Sequence, residues 1–192
     1  KEVPVRETPQ IPEDVVEEVA RLYGYRNLPS RLMDGLIPEP LPDSSFEFEK
    51  RVKEILKGFG GVEVYTLSLV SRKAVYNNAA LKLKNPLGSE SEYLRMSLAP
   101  SLVNAVAENA HHKEPIHLFE IANVYIPRKD GLPEEKIMLA GILKEYPYRE
   151  AKGIVEGLLD SLNIGTSFQV EDSAHFLPNQ RLLILANNNE LG

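Results

Sequence analysis

Apolar residues recur at helical spacing in four stretches, and short β-branched runs lie between them. In the first stretch, residues 12 to 23, Val15, Val16, Val19, Ala20, Leu22 and Tyr23 form one broad apolar face. Asp14, Glu17, Glu18 and Arg21 cluster opposite it. Pro12 suits the first helical position, Glu13 and Asp14 suit the positive end of the dipole, and Gly24 ends the helix. A second helix takes its stripe from Phe48, Val52, Ile55, Leu56 and Phe59. Ser44 and Glu47 offer it a capping box, and Gly60-Gly61 stop it. The third opens at Pro100 and buries Leu102, Val103, Val106, Ala107 and Ala110. The fourth, about 150 to 162, uses Ala151, Ile154, Val155, Leu158, Leu159 and Leu162.

The strand signals fall at 62 to 70, 81 to 84, 116 to 126, 136 to 144, near Phe168 and at 182 to 186. A short helix is expected over 74 to 78, and Asp130-Gly131 marks the loop between the two longest strands. Helices alternating with hairpin-linked strands predict an α+β fold, an antiparallel sheet with helices on one side. Pro4 and Pro9 keep the first eleven residues extended, and Pro38, Pro40 and Pro42 punctuate a stretch with little periodicity. These breaks predict a short first domain over 1–30, a proline-rich linker over 31–45 and a main domain over 46–192.

Composition narrows the classes. With 43% hydrophobic and 26% charged residues, the chain has the make-up of an ordinary globular protein. It shows no run of about 18 apolar residues and no basic-then-apolar leader, so a cytoplasmic location is expected. Zero cysteines exclude disulfides, thiolate zinc sites and a cysteine nucleophile. A net charge of −6 argues against a stand-alone nucleic-acid binder, because phosphate neutralisation needs a basic face. It leaves room for a subunit that touches nucleic acid through a small part of its surface. Lys1 in place of a starting Met, and a last strand that turns at an Asn run and begins to return, read as a fragment of a longer protein.

Candidate chemistry is sparse. Asp14, Glu17 and Glu18 stand at i, i+3 and i+4, where their oxygens can converge on a hard cation such as Mg²⁺. The same residues also make an ordinary solvated face with a Glu17–Arg21 pair. His111 and His112 are adjacent and diverge on a helix, and with His117 and His175 they lack any zinc-ligand spacing. They are expected at the surface or satisfied. Gly88-Ser89-Glu90-Ser91 lacks the second glycine of a nucleophile elbow, and no phosphate-binding glycine loop exists. Arg95 is either an anion ligand or a structural salt-bridge partner. Glu120, inside Leu118-Phe119-Glu120-Ile121, needs a partner if buried and is expected in an interface or a core network.

Several motifs in series carry a resemblance. Glu17-Glu18-Val-Ala-Arg-Leu-Tyr-Gly-Tyr25 with Asn27-Leu-Pro29 resembles the helix-to-linker signature of bacterial-type phenylalanyl-tRNA synthetase β subunits. Asn85-Pro86-Leu-Gly-Ser-Glu90, Leu94-Arg95-Met-Ser-Leu-Ala-Pro100, Leu118-Phe-Glu-Ile121 and Lys152-Gly153 with Glu156 resemble later signatures of that subunit, in order. The resemblance spans nearly the whole chain. It implies a class II aminoacyl-tRNA synthetase-like antiparallel sheet with flanking helices, preceded by the tail of a winged-helix-like domain, with the last segment truncated.

The resemblance also implies a module that has lost catalysis. An active class II site uses a Phe-Arg-x-Glu type motif to hold the ATP α-phosphate, and this chain has none. In the family the α subunit uses ATP to activate phenylalanine and charge tRNA(Phe), while β scaffolds it in an (αβ)₂ assembly and contributes tRNA contacts. Asn85, Pro86, Arg95 and Glu120 then become interface or structural residues. The family's magnesium positions map onto Asp14, Glu17 and Glu18, and a further family Asp falls on Thr8, a neutral and weaker ligand. Phe176-Leu-Pro-Asn-Gln-Arg181 departs from the family's His-Pro-Gly pattern. Editing and anticodon-binding regions lie outside the chain. The competing reading is a free-standing protein-interaction module built on a relict synthetase fold.

Overall fold

The computed structural model describes residues 12–32, 34–35, 43–75, 79–171, 181–187 and 189–191. The chain divides into two compact units, residues 1–41 and 42–192.

In the first unit, helix α1 spans Pro12–Tyr23 and is followed by a 3-10 turn, Tyr25–Asn27. Between them Gly24 takes φ +89, a conformation that costs glycine nothing, and its N–H closes on the Ala20 carbonyl at 2.9 Å. The amphipathic pattern of α1 is clear. No residue of the helix is buried, and Leu22 is 78% exposed.

The second unit begins with helix α2, Ser44–Gly58. Its N-cap is Asp43, whose carboxylate accepts from the N–H groups of Ser45 and Phe46. The expected Ser44–Glu47 box gives way because an aspartate one residue earlier supplies a charged acceptor to the same orphan donors. Strands β1, Val62–Glu63, and β2, Leu69–Val70, occupy only the ends of the run expected at 62 to 70. Its middle leaves the extended ladder to make side-chain contacts described below. A 3-10 turn covers Arg72–Ala74 and gives way to extended backbone at Val75, inside the short helix expected over 74 to 78, and residues 76–78 lie outside the described set. The strand expected at 81 to 84 reduces to a single bridge, Lys82 to Tyr93, beside strand β3, Tyr93–Leu94. Ser89–Ser91 forms another 3-10 turn just before it.

Helix α3, Ala99–Glu108, has proline in its first turn and buries Pro100 and Leu102. Val103, Ala107 and Ala110, expected inside, are exposed. The real inward side is narrower because Leu98, at the N-cap, is also buried and shares the contact with the sheet.

Strands β4, Ile116–Ile126, and β5, Glu134–Lys144, pair antiparallel over their full length, Ile116 opposite Lys144 and Ile126 opposite Glu134. Gly131 takes φ +83 in the connecting loop. Strand β1 runs parallel to β4, Val62 opposite Leu118, so this sheet is mixed and not wholly antiparallel. The parallel pairing is possible because a long crossover containing β2, β3 and α3 separates β1 from β4. Helix α4, Tyr148–Ser161, follows, then β6, Thr166–Val170, β7, Leu182–Ala186, and β8, Asn189–Glu190, in a separate antiparallel sheet.

The core lies between the main sheet and the α2–α4 pair. Val52 and Leu56 of α2, Phe119 of β4 and Leu158 of α4 form one buried cluster, with Ile55, Ile121, Ile154 and Leu162 against it. Two glycines set how closely the parts approach. A Cβ on Gly157 would stand 2.8 Å from the Phe59 ring, and one on Gly61 would stand 2.9 Å from the Leu56 carbonyl. Alongside this core an apolar cleft of about 1180 Å³ opens, walled by Val52, Phe119, Ile121, Leu139 and Ile154 among others. Among the described residues no helix is long and apolar enough to cross a membrane.

Candidate functional site

Strand alternation sends Phe119 into the helix-covered core and its neighbour Glu120 to the opposite face. Both are buried, Glu120 at 1% exposure. A carboxylate so deep needs partners, and it has them. The Arg95 Nη1 donates to Glu120 Oε1 at 3.0 Å, the Thr66 N–H donates to the same oxygen at 3.0 Å, and the Thr66 hydroxyl donates to Oε2 at 2.7 Å. Arg95, itself 3% exposed, also donates from Nε to the Asn123 carbonyl at 3.0 Å and from Nη1 to the Thr66 hydroxyl at 2.8 Å. The backbone binds the same pieces together: Arg95 N–H to the Ser68 carbonyl, and Tyr125 N–H to the Arg95 carbonyl.

The network explains the local chain path. Residues 64 to 68 break from a continuous strand because Thr66 turns both its N–H and its hydroxyl toward Glu120. Val64 still donates to the Phe119 carbonyl at 2.9 Å, so the segment stays beside β4. Tyr65 and Leu67, on either side of Thr66, point outward at 79% and 75% exposure. Sequence patterning singled out Arg95 and Glu120 separately. It did not single out Thr66 or the Asn123 carbonyl, since a threonine in a strand run and a backbone oxygen carry no distinguishing signal.

Asn85 is exposed and Pro86 half-buried in the turn that follows the Lys82 bridge. That turn is tied to β3 by Leu83 N–H to the Glu92 carbonyl and Leu94 N–H to the Leu81 carbonyl. Lys82 and Arg72 both lie over the Tyr93 ring, at 5.4 and 5.9 Å from its centre.

On α1 the acidic residues are arranged differently from the expected Glu17–Arg21 pair. Arg21 engages Glu18, its Nε donating to Oε2 at 3.1 Å, and that carboxylate raises the guanidinium pKa. Asp14 and Glu17 lie on the same helix. Among the described residues no group of three or more His, Asp or Glu side chains is disposed to hold a metal ion. Thr8 lies outside the described residues.

His111 and His112 are exposed, with ring centres 4.3 Å apart. His117 departs from expectation. It is buried, and among the described residues its Nδ1 has no hydrogen-bond partner. Burial pushes its pKa below the usual imidazole value, with the Phe59 backbone pulling the other way. Elsewhere Glu63 ties β1 to α2: Lys53 lies 2.7 Å and Lys57 3.2 Å from its oxygens. Burial alone would raise Glu63, but the two ammonium groups hold it below the usual carboxylate value.

Chemically, this arrangement joins segments. Its one deep cation is committed to a carboxylate, a hydroxyl and a carbonyl, and its one deep carboxylate is committed in return.

Residues 28–192 match the family model for the phenylalanyl tRNA synthetase beta chain CLM domain. The chain is 31% identical to the phenylalanine–tRNA ligase beta subunit of Geobacter metallireducens, covering 93% of this chain and 26% of that protein. It is 33% identical to the same subunit from Staphylococcus epidermidis, over 95% of this chain and 25% of that protein. The chain thus spans about a quarter of the length of these relatives. The crystal structure of pyrrolysyl-tRNA synthetase from Desulfitobacterium hafniense shares the fold, with a TM-score of 0.61 at 17% identity, over 93% of this chain and 63% of that one. With a family model matching most of its length, the chain belongs to the phenylalanyl-tRNA synthetase β-subunit family.

Proposed function

We propose that this chain is a non-catalytic part of a phenylalanyl-tRNA synthetase β subunit, and that it scaffolds the α subunit that activates phenylalanine with ATP and charges tRNA(Phe). One observation carries this reading: Arg95, the candidate anion ligand, is 3% exposed and spent on Glu120, Thr66 and Asn123. A guanidinium so engaged does not release to grip a phosphate without leaving Glu120 buried and uncompensated. ATP therefore belongs to the partner's site. The assembly is (αβ)₂ and cytoplasmic, and tRNA(Phe) is met within it. Magnesium is read as a cofactor of the assembled ligase, with Asp14, Glu17 and Glu18 as the residues the family resemblance points to.

Co-purification tests the scaffold. The β subunit carrying this sequence, extended to its natural ends and co-expressed with α, should be recovered as a stable complex that aminoacylates tRNA(Phe). A β subunit that folds but never retains α overturns the reading and favours a free-standing interaction module.

A further inference from the structure

The acids of this chain are unevenly spread. From Val64 to Ser89 there is no Asp or Glu, although the chain carries 28 acidic residues and a net charge of −6. The same stretch holds Arg72, Lys73, Lys82 and Lys84. The fold brings them to one place. Arg72 and Lys73 sit on the 3-10 turn after β2, while Lys82 bridges to Tyr93 of β3, the strand paired with β2. Arg72 and Lys82 converge on the Tyr93 ring, and all four basic side chains are exposed. Lys84 stands two residues beyond Lys82, where the chain bends toward Asn85-Pro86. Two acids temper the patch: Glu92, 3.2 Å from Lys82, and the exposed Glu90.

We infer that Arg72, Lys73, Lys82 and Lys84 form a contact surface for the phosphate backbone of RNA. The inference rests on the reading of the chain as part of a tRNA ligase, and assigns a place on it to the RNA. The charge is local and positive on an otherwise acidic molecule, which is what steers a polyanion to one face. The Tyr93 ring is covered by two cations, so it supports their positions and is not offered for base stacking. The surface therefore reads backbone and not sequence. Its contribution is uniform across RNA sequences and sensitive to salt.

The test uses the assembled ligase, full-length β with α, and an unmodified tRNA(Phe) transcript. Lys73→Gln, Lys82→Gln and Lys84→Gln are combined in one β subunit, and Lys50→Gln with Lys113→Gln serves as the remote control. The triple variant should bind the transcript about tenfold more weakly at low salt, and the slope of log affinity against log salt should shrink by about 2, the loss of two to three phosphate contacts. The control should change neither. An unchanged affinity and slope in the triple variant overturns the assignment, as does an equal loss in the control. A triple variant that loses α but, as free β, binds RNA as before also overturns it, and makes the patch a protein interface. Failure of the wild-type assembly to form or to aminoacylate strikes the proposed function instead.

Discussion

At the scale of single residues, burial decides what each polar group can do. His117 is a buried imidazole whose Nδ1 has no partner among the described residues, so its charged form is disfavoured in the fold. Its folded pKa lies below the usual 6.5, and the unfolded chain therefore binds more protons as pH falls through that value. The contribution of neutral His117 is complete above about pH 6.5 and is lost progressively below it. Urea unfolding at pH 7.5 and 5.5 should show the loss in wild type and a smaller one in His117→Leu. An identical pH dependence in the two proteins would refute the assignment.

Glu120 makes the opposite case, a buried charge with every oxygen in use. Glu120→Gln should destabilise by about 3–5 kcal/mol, because it strands the Arg95 cation. Thr66→Val should cost about 1–3 kcal/mol, as it removes one hydroxyl and leaves the backbone contact. The double change Arg95→Met with Glu120→Leu should recover much of the loss, since it removes both charges together. Chemical denaturation of the four proteins checks the ranking.

At the scale of elements, glycines decide which surfaces can touch. Gly157 lies on α4 where the ring of Phe59, at the end of α2, comes within contact of its missing side chain. Alanine is the better helix former, so an exposed Gly→Ala should stabilise. Here the added methyl meets the tip of the Phe59 ring at 2.8 Å and the ring must move, so Gly157→Ala should instead lower the melting temperature. Phe59→Leu combined with it should relieve the clash. If Gly157→Ala raised the melting temperature, the α2–α4 approach described here would be wrong.

Elements also show how far patterning reached. The helical periods located α1, α2 and α4 to within two residues or so, because each is long and carries a clear apolar stripe. The run at 62 to 70 looked like one strand because β-branched and aromatic residues fill it. It is two short strands, because Thr66 is drawn aside by a carboxylate 54 residues away. Local propensity contains no information about such a partner. The same holds for α3, whose apolar residues outnumber those its neighbours can cover.

At the scale of the whole molecule, the family membership and the internal network make a joint expectation. If the phosphate-handling chemistry belongs to α, then the assembled ligase with Arg95→Met and Glu120→Leu in β should still activate phenylalanine. Phenylalanine-dependent exchange of pyrophosphate into ATP should stay within about threefold of wild type, a change under 1 kcal/mol. Loss of exchange in an assembly that remains intact would place catalytic groups in this chain.

By itself the sequence determined the helix boundaries, the long hairpin of β4 and β5, and, through motifs in series, the family. These follow from periodicity, caps and turn residues, which act over a few positions and are written contiguously. It also marked Arg95 and Glu120 as residues needing an explanation. Only the tertiary structure decided that each explains the other, that Thr66 completes them, and that Arg72 and Lys82 meet over the Tyr93 ring. Those outcomes depend on which segments lie side by side, and contacts across tens of residues are set by packing and by the need to pair buried charge.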